Sequence, residues 1–321
     1  MLFSICWYKI ISVMRAKAAA EATGLALLTV KFPKHKESDM DNKKIKIISD
    51  SSGDLHTLGD FPFASAPLKI IAGEREWIDD AQLDIEEMVQ YLLKYNGKSG
   101  SACPSPSDWL DTFEDYENIF CITISSNISG SYNSACIACE EYMAQNPGRK
   151  AHVFDSFSTG GEMHLIMDKI MELAAQDKSF KEIVEIVSDY KVNHCGLLFT
   201  LESMQNLANN GRVSHLVAKA AGLLNIRPLG IASEIGTLEM LEKPRGAKKA
   251  VASAYEIMLK QGYNGGKVYI THCLNETIAR SMKDTILAGY PDAQLEIYAM
   301  GGLTSFYAEK GGMIVGFEKN L

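Results

Sequence analysis

No stretch of this chain approaches the roughly 18 to 20 consecutive apolar residues that a membrane-spanning helix requires, so stable insertion into a bilayer is not expected. The seven cysteines (Cys6, Cys103, Cys121, Cys136, Cys139, Cys195, Cys273) form no even, regularly spaced set. In a chain of 321 residues that argues against a disulfide framework and for reduced thiols in a cytoplasmic protein. Basic excess is lacking too: 32 Lys and Arg stand against 40 Asp and Glu, a net charge of -8. An acidic chain repels phosphate backbones, so nucleic-acid binding is not expected. No G-x-G-x-x-G, G-x-S-x-G or H-E-x-x-H occurs, which removes the usual dinucleotide, α/β-hydrolase and zinc-protease signals. Gly97-Lys98-Ser99 imitates the end of a phosphate-binding loop, but Leu92 stands where the motif needs its first Gly. Internal repeats and low-complexity segments are absent.

What is present is the composition of a globular protein, 46% apolar and 22% charged, with length enough for two domains. Residues 1–43 read as an N-terminal extension outside the fold. Met1 to Met14 is apolar but broken by Lys9, and its positive charges, Arg15 and Lys17, follow the apolar run instead of preceding it as in a secretory signal. A patterned sequence opens just after Met40, consistent with a native start there; the rival reading is an amphipathic helix that touches a membrane. From Lys43 onward short apolar runs alternate with helical periodicity. Strands are expected at Ile45–Ile48, Pro67–Ile71, Asn118–Ile124 and Ala151–Phe154. Helices are expected at Ile85–Tyr95 (capped by Asp84), Ser107–Phe113 (capped by Ser107), Ser131–Ala144 and Gly160–Ala175. Such alternation argues for a parallel α/β sheet over residues 44–176. The second half, 177–321, has a different grain. It offers helices at Phe180–Val192, Val213–Leu224, Gly246–Gln261 and Glu276–Gly289. Its strands fall at Gly196–Thr200, Ile226–Ile231, Gly236–Leu241, Val268–His272, Leu295–Met300 and Met313–Phe317.

Cys136-Ile-Ala-Cys139 is a C-x-x-C, but it lies about two turns inside a predicted helix. A redox pair sits at a helix N-terminus and a zinc site wants a second pair, so two small core thiols are the expected reading. The loops at strand ends are richer. Asp50-Ser51-Ser52, Ser99 to Ser105, Ser125 to Ser131 and Asp155 to Gly161 are all dense in hydroxyls. Taken singly, each is ordinary capping and turn chemistry. Converging beyond the carboxyl ends of a parallel sheet, they would make a neutral, donor-rich pocket suited to a carboxyl group. His272, at a strand end, is the best candidate base if a serine is a nucleophile instead.

These residues resemble the DegV family. Ile47 to Leu55 resembles the opening strand and turn of its members. Ile124 to Ala135 matches their S-S-x-[LI]-S-G-[TS]-Y-x-S-A segment. Phe154-Asp155-Ser156 with Gly160-Gly161, Leu207 with Asn209 to Ser214, Ile226-Arg227-Pro228 and Arg245 to Ala250 follow in family order. The resemblance covers about residues 44 to 321. It implies a two-domain α/β fold, an N-terminal parallel α/β/α domain and a C-terminal α/β domain, with a fatty-acid tunnel between or within them.

Carried onto this chain, the resemblance places the carboxyl of a long-chain fatty acid against Ser101, Ser129, the Gly130 amide and His272. Ser125, Ser126, Asp155 and Ser156 are supporting loop residues. It implies a non-catalytic carrier, without a metal or other cofactor, that presents the acid to a separate fatty acid kinase. Arg212, Arg227 and Arg245 are candidates for docking that partner or steadying phosphate charge. One departure stands out: many relatives carry an H-x-G-P-G turn near the C-terminus, where this chain has Tyr307-Ala308-Glu309-Lys310-Gly311. The competing readings are a serine esterase or acyl transferase using Ser129 and His272, and a lipid sensor with no kinase partner.

Overall fold

The computed structural model describes residues 45–215 and 225–320. The expected N-terminal extension, and the expected helix over Val213–Leu224 from residue 216 on, lie outside the described residues. The first strand, β1 (Ile45–Asp50), pairs in parallel with β2 (Phe63–Ala66) and β6 (Asn118–Thr123), and β6 with β7 (Lys150–Asp155), giving the order β2-β1-β6-β7. The two central strands, β1 and β6, are buried on both faces, which is why they read as nearly continuous apolar runs.

Between β2 and β6 the chain makes a small antiparallel sheet, β3 (Lys69–Ala72), β4 (Arg75–Ile78) and β5 (Ser99–Ala102), in the order β4-β3-β5. The strand expected at Pro67–Ile71 is β3, begun two residues later, and β2 just before it was not foreseen. Pro67 has no N–H for a ladder, and the chain leaves the parallel sheet there, with the Leu68 amide donating to Ser51 Oγ at 3.0 Å. Helix α1 (Ile85–Leu92) is capped by Asp84, whose side chain accepts from the Glu87 amide. Helix α2 is Pro106–Leu110 and is capped by Ser105, not Ser107: Ser105 and Asp108 form a reciprocal capping box, and Pro106 occupies the first turn, where its missing N–H costs nothing.

Helices α3 (Ser131–Gln145), α4 (Gly161–Ala175) and α5 (Phe180–Asn193) complete the first half. Ile47, Phe120, Ile122 and Phe154 pack on α4 and α5 through Met163, Ile166, Ile170, Ile183 and Val187. On the opposite face Ile48, Ile119 and Cys121 pack on Trp109, Ala135, Ala138 and Tyr142. This is an α/β/α sandwich. Cys139 joins that second core, with its Sγ 3.8 Å from Cys121 Sγ, while burial and neighbouring charge hold the Cys136 thiol above its ordinary pKa, the reverse of a redox nucleophile.

The turn at Ala175–Lys178, taken from the sequence as the domain boundary, joins two helices of one layer; the chain crosses to a second sheet only at His194. That sheet comprises β8 (Cys195–Thr200), β9 (Leu229–Ala232), β10 (Leu238–Glu242), β11 (Val268–His272), β12 (Leu295–Ala299) and β13 (Met313–Glu318), in the order β10-β9-β8-β13-β11-β12. Only β11 and β12 run parallel; the other pairs are antiparallel. Short helix α6 (Gln205–Asn209) follows β8, and α7 (Ala247–Lys260) and α8 (Glu276–Gly289) cover one face of the sheet. Helix α9 (Gly302–Ala308), unforeseen in the sequence, links β12 to β13. Helix α4 packs on this sheet as well as on the parallel one. A Cβ on Gly316 would lie 2.1 Å from the Glu162 amide nitrogen, so only glycine allows so close an approach.

Candidate functional site

Period-two geometry puts Leu197 and Phe199 of β8 on one face, and with Leu201, just after the strand, they form the apolar wall of a cavity. The opposite wall is Leu68, Ile124 and Leu303, which pack as one cluster with Ile128 and Tyr307. Polar lining comes from Ser101 on β5, Ser129 before α3, Thr159 before α4, Arg212 after α6, and Thr304 and Tyr307 on α9. Ser101 Oγ and the Tyr307 hydroxyl are 2.8 Å apart. Arg212 lies over the Tyr307 ring, 5.7 Å from its centre, and its Nε donates to the Ile128 carbonyl at 3.1 Å, one residue from Ser129. A second guanidinium nitrogen donates to the Asn210 carbonyl. Hydroxyls, one cation and an apolar body together make a site for an amphiphile with an acidic head.

The structure therefore brings Ser101 and Ser129 to one cavity, from a strand of the small sheet and a loop of the parallel sheet. It adds Arg212, expected from the sequence to dock a partner or steady phosphate charge. Gly130 caps α3 behind Ser129, where an added Cβ would lie 3.2 Å from Cys103 Sγ. His272 is not among the lining residues. It ends β11, and its Nδ1 accepts the Asn275 amide at 3.3 Å, at the start of α8; burial lowers its pKa. Arg227 is buried, paired with Glu202, and donates to the Gly311 carbonyl at 3.2 Å, so it straps down the C-terminal turn. Arg245 is exposed ahead of α7.

The supporting loops spend their polar groups locally. Ser125 Oγ accepts the Asn127 amide at 3.3 Å, and Ser156 Oγ accepts the Ser158 amide at 3.0 Å. Asp155 Oδ1 accepts the amides of Ser126 and Phe157 at 3.2 and 3.0 Å. None of these four residues lines the cavity.

Three buried carboxyls frame the site, and only the loop holding Asp50 was singled out in the sequence. Asp50, at the end of β1, accepts from the Ile124 amide at 3.0 Å and from Ser131 Oγ at 2.6 Å, drawing together the ends of β1, β6 and α3; burial pushes its pKa up to about 6. Asp54 and Asp79 hold the start of α9. Asp54 Oδ1 accepts the Gly301 amide at 2.8 Å and the Thr304 hydroxyl, and burial pushes Asp54 up to about 7. Asp79 accepts the Gly302 and Leu303 amides at 2.5 and 2.9 Å, and burial raises it as well. These contacts satisfy amides that a helix N-terminus leaves open, from residues more than two hundred positions away. No local pattern announces such a pairing. Among the described residues, no group of His, Cys, Asp and Glu could hold a metal ion, and no helix is long and apolar enough to cross a membrane.

Comparison with known proteins places this geometry among relatives. The sequence model described as "Uncharacterised protein, DegV family" matches residues 44–320. A DegV domain-containing protein of Streptococcus pneumoniae is 43% identical over 277 residues, covering 85% of this chain and 98% of that relative. The crystal structure of the Streptococcus pneumoniae fatty acid kinase (Fak) B3 protein loaded with linoleic acid superposes with a TM-score of 0.84 at 42% identity, covering 86% of this chain and 100% of that one. A DegV family protein from Eubacterium eligens loaded with heptadecanoic acid matches with a TM-score of 0.84 at 39% identity, over 86% and 100% of the two chains.

Proposed function

The chain belongs to the DegV family, and from that premise we propose that it binds a long-chain fatty acid and presents the carboxylate to a separate fatty acid kinase for conversion to an acyl phosphate. One arrangement supports the reading: an apolar cavity whose hydroxyls, Ser101, Ser129 and Tyr307, gather beside the guanidinium of Arg212. The relatives loaded with linoleic and heptadecanoic acid point the same way. Tyr307 opens the altered C-terminal turn, so its hydroxyl, bonded to Ser101, supplies a head-group contact from the position where many relatives carry the His of their turn. His272 does not line this cavity.

Burial of about 15 methylenes contributes roughly 0.8 kcal/mol each, ~12 kcal/mol gross, from which ligand ordering and carboxyl desolvation subtract. An acid held that firmly is presented to a partner rather than released, which is the logic of a non-catalytic carrier in the cytoplasm. Arg245 is the exposed arginine left for docking the kinase. The esterase reading needs a base beside Ser129, and the cavity's described lining holds no His, Asp, Glu or Lys.

Mass spectrometry of an organic extract of the purified protein tests the binding half. A stoichiometric long-chain acid is expected; an empty extract, with no uptake of added acid, would refute it. Incubation of the loaded protein with a fatty acid kinase catalytic subunit and ATP tests the other half, with acyl phosphate as the expected product. Bound acid that stays unphosphorylated would leave a lipid sensor in its place.

A further inference from the structure

We propose that Asp54, acting through the Thr304 hydroxyl, is the group with which the carboxyl of the bound acid shares a proton. The proposal rests on the fatty-acid reading and assigns a role to a residue that lies outside the cavity lining. Thr304 and Tyr307 stand three residues apart on α9, on one face of the helix, and both line the cavity. Tyr307 reaches Ser101, and Thr304 reaches Asp54. The acid's head group and Asp54 therefore lie on opposite sides of one hydroxyl.

That hydroxyl has a single proton. With Asp54 ionised, Thr304 donates to it and turns only lone pairs toward the cavity, which suits a protonated acid. With Asp54 protonated, Thr304 can accept from Asp54 and donate its own proton to a carboxylate. The exchange balances: the acid's proton passes to Thr304 as the Thr304 proton passes to Asp54, leaving a carboxylate and a neutral Asp54. Phosphoryl transfer needs the carboxylate as nucleophile, so Asp54 is where the proton goes.

The surroundings favour a proton on Asp54. Its Oδ2 is buried beside the buried Thr271 Oγ1, and a Cβ on Gly160 would lie 3.5 and 3.3 Å from the two oxygens. Asp79 faces Asp54 across Gly301, whose added Cβ would lie 3.2 Å from Oδ1 of each. Cys273, following β11, is the other titratable neighbour, and His56 acts on Asp79 from the loop after β1. Among the described residues neither carboxylate has an ion-pair partner, and two like charges at this spacing under one helix disfavour double ionisation. Consistent with this, burial, with the charge of Asp79 adding to it, pushes Asp54 up to about 7.

The test follows the carbon-13 resonance of carboxyl-labelled palmitate bound to the full chain as pH is varied. Wild-type protein should give a two-step titration, as two coupled carboxyls do. Asp54→Asn should give a single step, with the bound acid ionising about tenfold more readily, an apparent pKa about one unit lower, because the neighbouring negative charge is gone. Thr304→Val should also reduce the titration to one step, and Thr304→Ser should restore two. Should Asp54→Asn fail to fold, the Thr304 pair decides. Superimposable curves for wild type and these variants would overturn the proposal alone. A wild-type protein that takes up no labelled acid would overturn the fatty-acid reading, and this proposal with it.

Discussion

The loops after β6 and β7 and the helix α9 after β12 are both rich in hydroxyls, and, Ser129 and Thr159 of the cavity lining apart, they use them in opposite ways. In the loops, Ser125 and Ser156 accept amides two residues away, and Asp155 accepts two more. Their polar groups are consumed where they arise. In α9 the first amides are satisfied by Asp54 and Asp79 from the other end of the chain, and Thr304 and Tyr307 are carried into the cavity. A hydroxyl becomes available to a ligand when something else has taken over the capping that serine and threonine ordinarily perform.

The sharpest way to break that comparison is to remove the remote cap. Asp79→Ala leaves the buried Gly302 and Leu303 amides without an acceptor, at about 1 to 3 kcal/mol each, so a loss of about 2 to 6 kcal/mol is expected in chemical denaturation. A loss below about 1 kcal/mol would mean that α9 is held by something else. The companion carboxylate should reveal itself through pH. Asp54 has a folded-state pKa of about 7 against 3.8 for the unconstrained group, so the folded protein binds the extra proton between those values. Its contribution to stability is complete below the lower value and is lost as pH rises through the upper one. Relative to Asp54→Asn, wild type should therefore lose stability as pH climbs through this window and run level above it; parallel profiles would contradict the assignment.

Smaller effects separate cavity hydroxyls from loop hydroxyls. Ser129→Ala should weaken retention of the acid by about 1 to 2 kcal/mol, and Tyr307→Phe, which keeps the ring and loses the bond to Ser101, by about 0.5 to 1.5 kcal/mol, both read by competition with a fluorescent fatty acid. Ser156→Ala removes a buried local bond and should cost about 1 kcal/mol of stability while leaving affinity unchanged. A drop in affinity for Ser156→Ala equal to that for Ser129→Ala would erase the distinction between hydroxyls that line the cavity and hydroxyls spent locally.

Much of the fold was legible along the chain. The strands at Ile45, Asn118 and Lys150 and the helices at Ser131, Gly161, Phe180, Ala247 and Glu276 lie where periodicity placed them, because each is long enough for its buried face to repeat. The misses are short or irregular. Residues 63–72 hide two strands of different sheets behind one apolar run, β4 has a single buried residue, and α9 has glycines at its start in place of a capping side chain. Of the site, Ser101 and Ser129 were legible through the family-like segments that contain them. Arg212 was noticed without its place, and His272 was singled out by residue type, its place at a strand end and the family resemblance.

By itself, then, the sequence determined the α/β alternation, the parallel first sheet and the presence of two of the cavity's serines, since these depend on periodicity and contiguous motifs. Tertiary structure alone decided that Arg212 and Tyr307 meet over Ser101, that His272 turns to the start of α8, and that Asp54 and Asp79 cap a helix more than two hundred residues distant. Such contacts carry no local signature. A buried amide requires an acceptor, but which residue supplies it is settled only when the whole chain has packed.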